Sequence, residues 1–259
     1  MPGNGRAQVQ MTDNPKPLTH RIALVTGASR GIGAAVALEL AQVGAHVVAV
    51  ARTVGGLEEL DDKIKAAGSS ATLVPLDVKD SDGIARLALA LNERYQRLDV
   101  LVGNAGILGA LSPLSHYEPK DWDNLIAVNV TANWQLIRCM DVLLQRSQAG
   151  RAVFLTSGVA HMGRAYWGPY AASKAALEVL VRTYAAETAS THVHANLFGP
   201  GPTRTRMHAG AFPGIDPLTL PTPEDVAKAM LPLCLPECTE TGKLYNFRDA
   251  RFLDFRAPA

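Results

Sequence analysis

The feature that most limits this chain is an alternation. Runs that are apolar at every position are each followed by a stretch whose apolar residues return at helical spacing. From Ile22 the order is IALVTG, a glycine-rich turn, then AAVALELAQVG, which stops at Gly44. HVVAVA at 46–51 leads into LEELDDKIKAAG, which closes on Gly68, and ATLVPLDV follows. A helical stretch runs from Ser81, read as its cap, to Arg97 and precedes LDVLVGNAG. Then come a helix from about Trp122 to Gln145, the strand RAVFLTS and a helix from about Tyr170 to Ala189. The short strand HVHANLF and a last helix opened by Thr222-Pro223-Glu224 complete the order. A strand that is apolar on both faces has to be covered on both, and helices between strands make neighbouring strands parallel. The expectation is an α/β chain with a doubly wound parallel sheet of about seven strands, in three αβα layers.

Composition sets the limits around that fold. At 259 residues, 47% hydrophobic and 19% charged, the chain suits one buried core. Residues 1–20, polar and rich in Gly, Pro and Asn, are expected to be a flexible tail, and residues 21–259 a single domain. A net charge of +1 without a Lys/Arg cluster gives no footprint for nucleic acid or an anionic membrane, so a small molecule is the expected partner. Cys139, Cys234 and Cys238 have neither disulfide nor metal-ligand spacing and read as buried free thiols, with no metal expected. Without a signal-like stretch or a run of about 18 apolar residues, the expected location is the cytoplasm.

The first turn reads TGASRGIG, between a predicted strand and a predicted helix. Glycines there allow a tight turn and close backbone approach, and the helix start offers free N–H groups and partial positive charge, which suits a pyrophosphate. Gly27, Ser29, Arg30, Gly31, Ile32 and Gly33 are therefore candidate cofactor residues in a Rossmann-type domain. NAD-binding folds of this kind place a carboxylate at the end of the second strand, about 20 residues past the glycines. Here that place reads Ala51-Arg52-Thr53. Two guanidinium groups, Arg30 and Arg52, favour a 2′-phosphate, so NADP(H) is preferred while NAD(H) stays open.

Tyr170 and Lys174 are four residues apart at the start of a predicted helix and share one face. A phenol that works as an acid or base near neutral pH needs its pKa lowered, which a neighbouring ammonium can supply. Ser157, 13 residues earlier, ends a predicted strand at the carboxyl edge, where open α/β sheets bind ligands.

With these residues in place, the stretch from about Arg21 to Tyr245 resembles the short-chain dehydrogenase/reductase superfamily. The resemblance is to its single-domain form, which includes 3-oxoacyl carrier-protein reductases. The motifs that carry it are TGASRGIG, LDV at 76–78, NAG at 104–106, VNV at 128–130, Ser157, YAASK at 170–174 and PGPT at 200–203. The resemblance implies an NADP(H)-dependent oxidoreductase interconverting a carbonyl and a secondary alcohol by direct hydride transfer. Tyr170 would be the acid/base, Lys174 would bind the nicotinamide ribose and lower the phenol's pKa, and Ser157 would hold the substrate oxygen. Asn129 would support a proton relay. It also implies adenine contacts from Asp77 and Val78, ribose and pyrophosphate contacts along Asn104, Ala105 and Gly106, and a cofactor-binding loop at Pro200, Gly201 and Thr203. Homo-oligomers, tetramers or dimers, belong to the same expectation. Two departures stand out: Gly103 in the first place of the usual NNAG, and a carboxyl end reading GKLYNFRDARFLDF.

The Pro- and Gly-rich region at about 203–222 is expected to be a mobile flap over the substrate site. Residues 107–117, 158–167 and 206–220 are the expected substrate walls, with Trp167, Tyr166, Leu108 and Phe212 apolar and His161, Arg164 and Arg206 at a solvated rim. A second reading is an NADP-binding sensor or scaffold that has lost catalysis. It predicts the loss of at least one of Asn129, Ser157, Tyr170 or Lys174, and all four are present.

Overall fold

A computed structural model of the chain describes residues 16–255. The first half contains β1 (Ile22–Thr26), α1 (Gly31–Gln42), β2 (His46–Ala51), α2 (Val54–Ala66), β3 (Ala71–Pro75), α3 (Ser81–Tyr95) and β4 (Val100–Gly103). The second half contains α4 (Pro119–Ile126), α5 (Ala132–Gln145), β5 (Gly150–Leu155), α6 (Gly168–Glu187), β6 (Val193–Gly199), α7 (Arg206–Ala211), α8 (Pro223–Cys234), β7 (Leu244–Asn246) and β8 (Arg251–Leu253).

The strands form one sheet in the order β3-β2-β1-β4-β5-β6-β7-β8, parallel except for the β7–β8 pair. The chain winds outward from β1 through β2 to β3 and then restarts on the other side at β4, so the connections part above β1 and β4. That is the topological switch point, where the carboxyl ends of the strands leave a crevice. Every residue of β1, β4 and β5 is buried, as runs apolar on both faces require. One core packs α1, α2 and α8 against one face through residues such as Leu40, Leu57 and Met230. The other packs α3, α5 and α6 through Leu87, Leu136 and Leu177.

Four expectations need correction. Residues 1–15 of the expected tail lie outside the described residues, but residues 16–20 are folded: Leu18 is fully buried in the first core and its N–H donates to the Val43 carbonyl at 3.0 Å. An eighth strand, β8, extends the sheet where the unusual carboxyl end folds back on β7. The cap of α3 is Asp80, whose side chain accepts from the Gly83 N–H at 2.8 Å, leaving Ser81 as the first helical residue. Of the cysteines, Cys234 is buried, whereas Cys139 and Cys238 are half-buried.

The expected helix from Trp122 to Gln145 is interrupted by a π-helical turn at Ala127–Thr131. One extra residue in a turn rotates everything after it, and such insertions cluster at functional sites. Here the turn carries Asn129.

Candidate active site

The switch-point crevice is a cleft of about 800 Å³. Its floor is the junction of β1 and β4, which two side chains lock together. Thr26 Oγ1 accepts from the N–H groups of Asn104 (3.0 Å) and Ala105 (3.1 Å), and Asn104 Nδ2 donates to the Thr26 carbonyl at 2.8 Å. Gly27 bends the chain with φ +66°, and a Cβ at Gly33 would overlap both the Gly27 carbonyl and the Asn104 amide. The turn can close on α1 only without side chains at these places. Arg30 precedes α1 in an extended conformation without a side-chain cap, and the first turn holds no acidic residue. The leading N–H groups therefore keep their affinity for an anion, at the edge of the cleft.

Ser29, Arg30, Gly31 and Ile32 line this end, as do Arg52, Asp77 and Val78. Asn104, Ala105 and Gly106 continue the wall from β4. Arg52 is largely exposed, with Nη1 4.0 Å from Asp77 Oδ2. A glycine cradle, an uncapped helix start and two mouth guanidiniums fit the pyrophosphate and a further phosphate of a dinucleotide. Gly33 and Asn129 stand behind the wall. Pro200 lines the cleft, while Gly201 and Thr203 do not; the Thr203 hydroxyl is turned to the Pro200 and Gly201 carbonyls of its own loop, both at 3.4 Å.

The other end of the cleft holds the titratable groups. Tyr170 and Lys174 line it from the first turns of α6, which starts at Gly168, two residues earlier than expected. Lys174 Nζ donates to the Leu155 carbonyl, the last of β5, at 2.8 Å, and lies 5.9 Å from the centre of the Tyr170 ring. Ser157, two residues beyond the end of β5, stands outside the lining of the cleft and lowers the proton affinity of the phenol from there. Asn129 is fully buried: its Oδ1 accepts from the Ile107 N–H at 2.9 Å, and its Nδ2 donates to the Ile107 carbonyl at 2.9 Å and to Ser173 Oγ at 3.0 Å. The loop after β4 is thereby tied to α6.

Burial sets the proton affinities. It pushes the Tyr170 phenol up to about 12 against the opposing effect of Ser157, and it pulls the Lys174 amine down to about 8 against the opposing charge of Glu178. The expected lowering of the phenol by Lys174 is not found in this structure, where burial raises it and the amine is engaged by a backbone carbonyl.

Gly103 is explained by its surroundings, since a Cβ there would overlap the Phe154 ring and come within 2.7 Å of Asn133 Oδ1. Asn133 in turn donates to the Asn129 carbonyl at 2.8 Å, so support for Asn129 comes from α5. Of the expected substrate walls, Ile107, Leu108 and Gly109 line the cleft, as do Arg206, Met207 and Gly210 of the flap region. Trp167 packs with Tyr170 and Phe212, while Arg164 lies over the Trp167 and Phe212 rings at 5.1 and 5.0 Å. Tyr166 faces outward, and His161 is paired with Glu178 rather than free at the rim. Sequence reasoning missed Thr156, Ser173 and Glu178; the signal for Glu178 was its place one helical turn past Lys174.

The model of the short chain dehydrogenase family matches residues 21–215. The oxidoreductase YciK of Escherichia coli K12 is 40% identical over 212 residues, which are 81% of this chain and 84% of YciK. A solved short-chain dehydrogenase from Pseudomonas syringae superposes with a TM-score of 0.87 at 39% identity, over 90% of this chain and 96% of that one. Another, from Shigella flexneri 2a in complex with NADP, has a TM-score of 0.84 at 37% identity over 90% and 99% of the two chains.

Proposed function

Because the chain belongs to the short-chain dehydrogenase family, we propose that it is an NADP(H)-dependent oxidoreductase that interconverts a carbonyl and a secondary alcohol, with Tyr170 as the acid/base. The observation that carries this reading is one cleft holding both the glycine cradle of α1 and the Tyr170–Lys174 pair of α6. The nicotinamide nucleotide, when bound, supplies or accepts the hydride.

The chain's residues do the rest. The free N–H groups of α1 and the turn from Gly27 to Gly33 hold the pyrophosphate, with Asn104, Ala105 and Gly106 along the ribose and Asp77 and Val78 at the adenine. Arg30 and Arg52 meet the 2′-phosphate, and the neighbour solved with NADP supports that preference. The loop of Pro200, Gly201 and Thr203 closes the nicotinamide side. Ser157 orients the substrate oxygen, and Tyr170 moves a proton to or from that oxygen. A phenol at about 12 holds its proton firmly, which suits donation to a developing alkoxide. In the oxidation direction it first has to lose that proton, which Lys174 makes easier once its ammonium turns from the Leu155 carbonyl toward the site. Asn129, locked between the loop after β4 and α6, keeps the proton path aligned. A homo-oligomer of two or four chains goes with this reading; Trp134 and Val142 of α5 and Val179 of α6 stand exposed.

The test is consumption of NADPH with a panel of ketones and aldehydes. The wild-type chain is expected to turn over, and Tyr170→Phe to lose at least about a hundredfold in kcat with NADPH affinity nearly intact. A fully active Tyr170→Phe protein overturns the assignment.

A further inference from the structure

One buried charge near the cleft is not used by the chemistry above. Glu178 is 3% exposed, lies one helical turn beyond Lys174 on α6, and has both carboxylate oxygens engaged. Thr156 Oγ1 donates to its Oε1 at 2.6 Å, and His161 Nε2 lies 3.0 Å from its Oε2. Thr156 sits between Leu155, whose carbonyl holds Lys174, and Ser157. The strand end that presents the serine is therefore tied to α6 twice in succession, through the lysine and then through the glutamate. Burying a carboxylate is costly unless hydrogen bonds and opposite charge offset it. Here three cations surround it: Lys174 and Arg182, one turn to either side on its own helix, and His161 when protonated. From the carboxyl end of the chain, Phe255 covers the outer side, its ring 5.9 Å from that of His161 and 4.3 Å from the Arg182 guanidinium.

The geometry points to Glu178 as a positioning residue for the acid/base pair: from one turn behind, its carboxylate keeps the Lys174 amine cationic and pins the strand end that carries Ser157. This rests on the reading of Tyr170 and Lys174 as the proton-handling pair. The charge acts through space, because the amine donates to the Leu155 carbonyl and forms no ion pair with the carboxylate. The groups packed beside Lys174 from the other elements bring no formal charge: the Leu155 carbonyl of β5, Gly106 of the loop after β4 and, on its own helix, the phenol of Tyr170. Those of Glu178 are Thr156, His161, Lys174 and Arg182, with uncharged Phe255 outside. Glu178 is thus the anion that opposes the loss of the lysine's proton to burial, and its own proton affinity is raised by burial and lowered by Thr156, His161 and Arg182.

The experiment is a pH titration of Lys174 in the whole chain carrying 13Cε-labelled lysine, with the signal assigned by Lys174→Arg. It needs neither nucleotide nor substrate, so its outcome is separate from that of the turnover assay. The wild-type inflection is expected near pH 8. Glu178→Gln should move it down by about one pH unit, and Glu178→Asp should restore most of the difference. Glu178→Leu, which removes the carboxylate and puts an apolar group on this buried face, should move it the same way, and it serves as the second reading if Glu178→Gln does not fold. A midpoint unchanged in Glu178→Gln, or in Glu178→Leu where the first does not fold, overturns the proposal. So does a Glu178→Asp protein that titrates like Glu178→Gln.

Discussion

At the scale of single residues, the proposed preference for NADP(H) is tested most directly at Arg52. Its guanidinium stands mostly in solvent at the mouth of the cleft, 4.0 Å from Asp77, with nothing buried depending on it. Arg52→Asp should leave the fold intact while replacing a phosphate partner by a second carboxylate beside Asp77. We expect the NADP/NAD preference to fall by about tenfold or more, since one charge-assisted hydrogen bond is worth about 1.5–3 kcal/mol. Kd values for both nucleotides read this directly, and an unchanged ratio removes Arg52 from the 2′-phosphate site. The sequence pointed to this residue through a missing carboxylate at a known place, and the fold sets its guanidinium at the mouth of the cleft. Glu178 was not legible there, because a Lys and a Glu four apart on a helix read as an ordinary exposed pair, and only the fold shows that both are buried.

At the scale of elements, α6 carries Tyr170, Lys174 and Glu178 on one buried face, and keeping a lysine there works against stability. The Lys174 amine sits at about 8 when folded, against its ordinary 10.5. Where a base is depressed on folding, the unfolded chain binds more protons between the two values, so stability rises with pH across that window. Below about pH 8 the whole penalty for the buried ammonium is present, and it fades as pH climbs to 10.5. Lys174→Met should therefore abolish turnover yet raise Tm at pH 7, with the gain shrinking between pH 8 and 10.5. Thermal unfolding across that range checks it, and a Tm gain that is flat with pH contradicts it. The π-helical turn before α5 escaped sequence reading for a physical reason. One inserted residue leaves the apolar pattern nearly unchanged on both sides, although it decides where Asn129 points.

At the scale of the whole molecule, the sheet was readable because doubly buried parallel strands are apolar at every position, and β1, β2, β4 and β5 all are close to that limit. The two ends of the chain were less so. Leu18 is a lone apolar residue in a polar stretch, and β8 has three residues that gain a partner only when the chain folds back. Leu18→Ala should cost about 2–5 kcal/mol in denaturant unfolding, as for other fully buried leucines, whereas a free tail would make it neutral. The two ends of the cleft were each visible as motifs, and the fold sets them in one crevice. The claim on which the account rests is that this crevice passes a hydride to a carbonyl carbon while Tyr170 supplies the proton. The most direct measurement follows deuterium from NADPH labelled at C4, on either face, into the alcohol formed from an accepted ketone. The account predicts deuterium on the carbinol carbon from one face alone, and its near-complete loss in Tyr170→Phe. Unlabelled alcohol, or undiminished transfer by Tyr170→Phe, would contradict it.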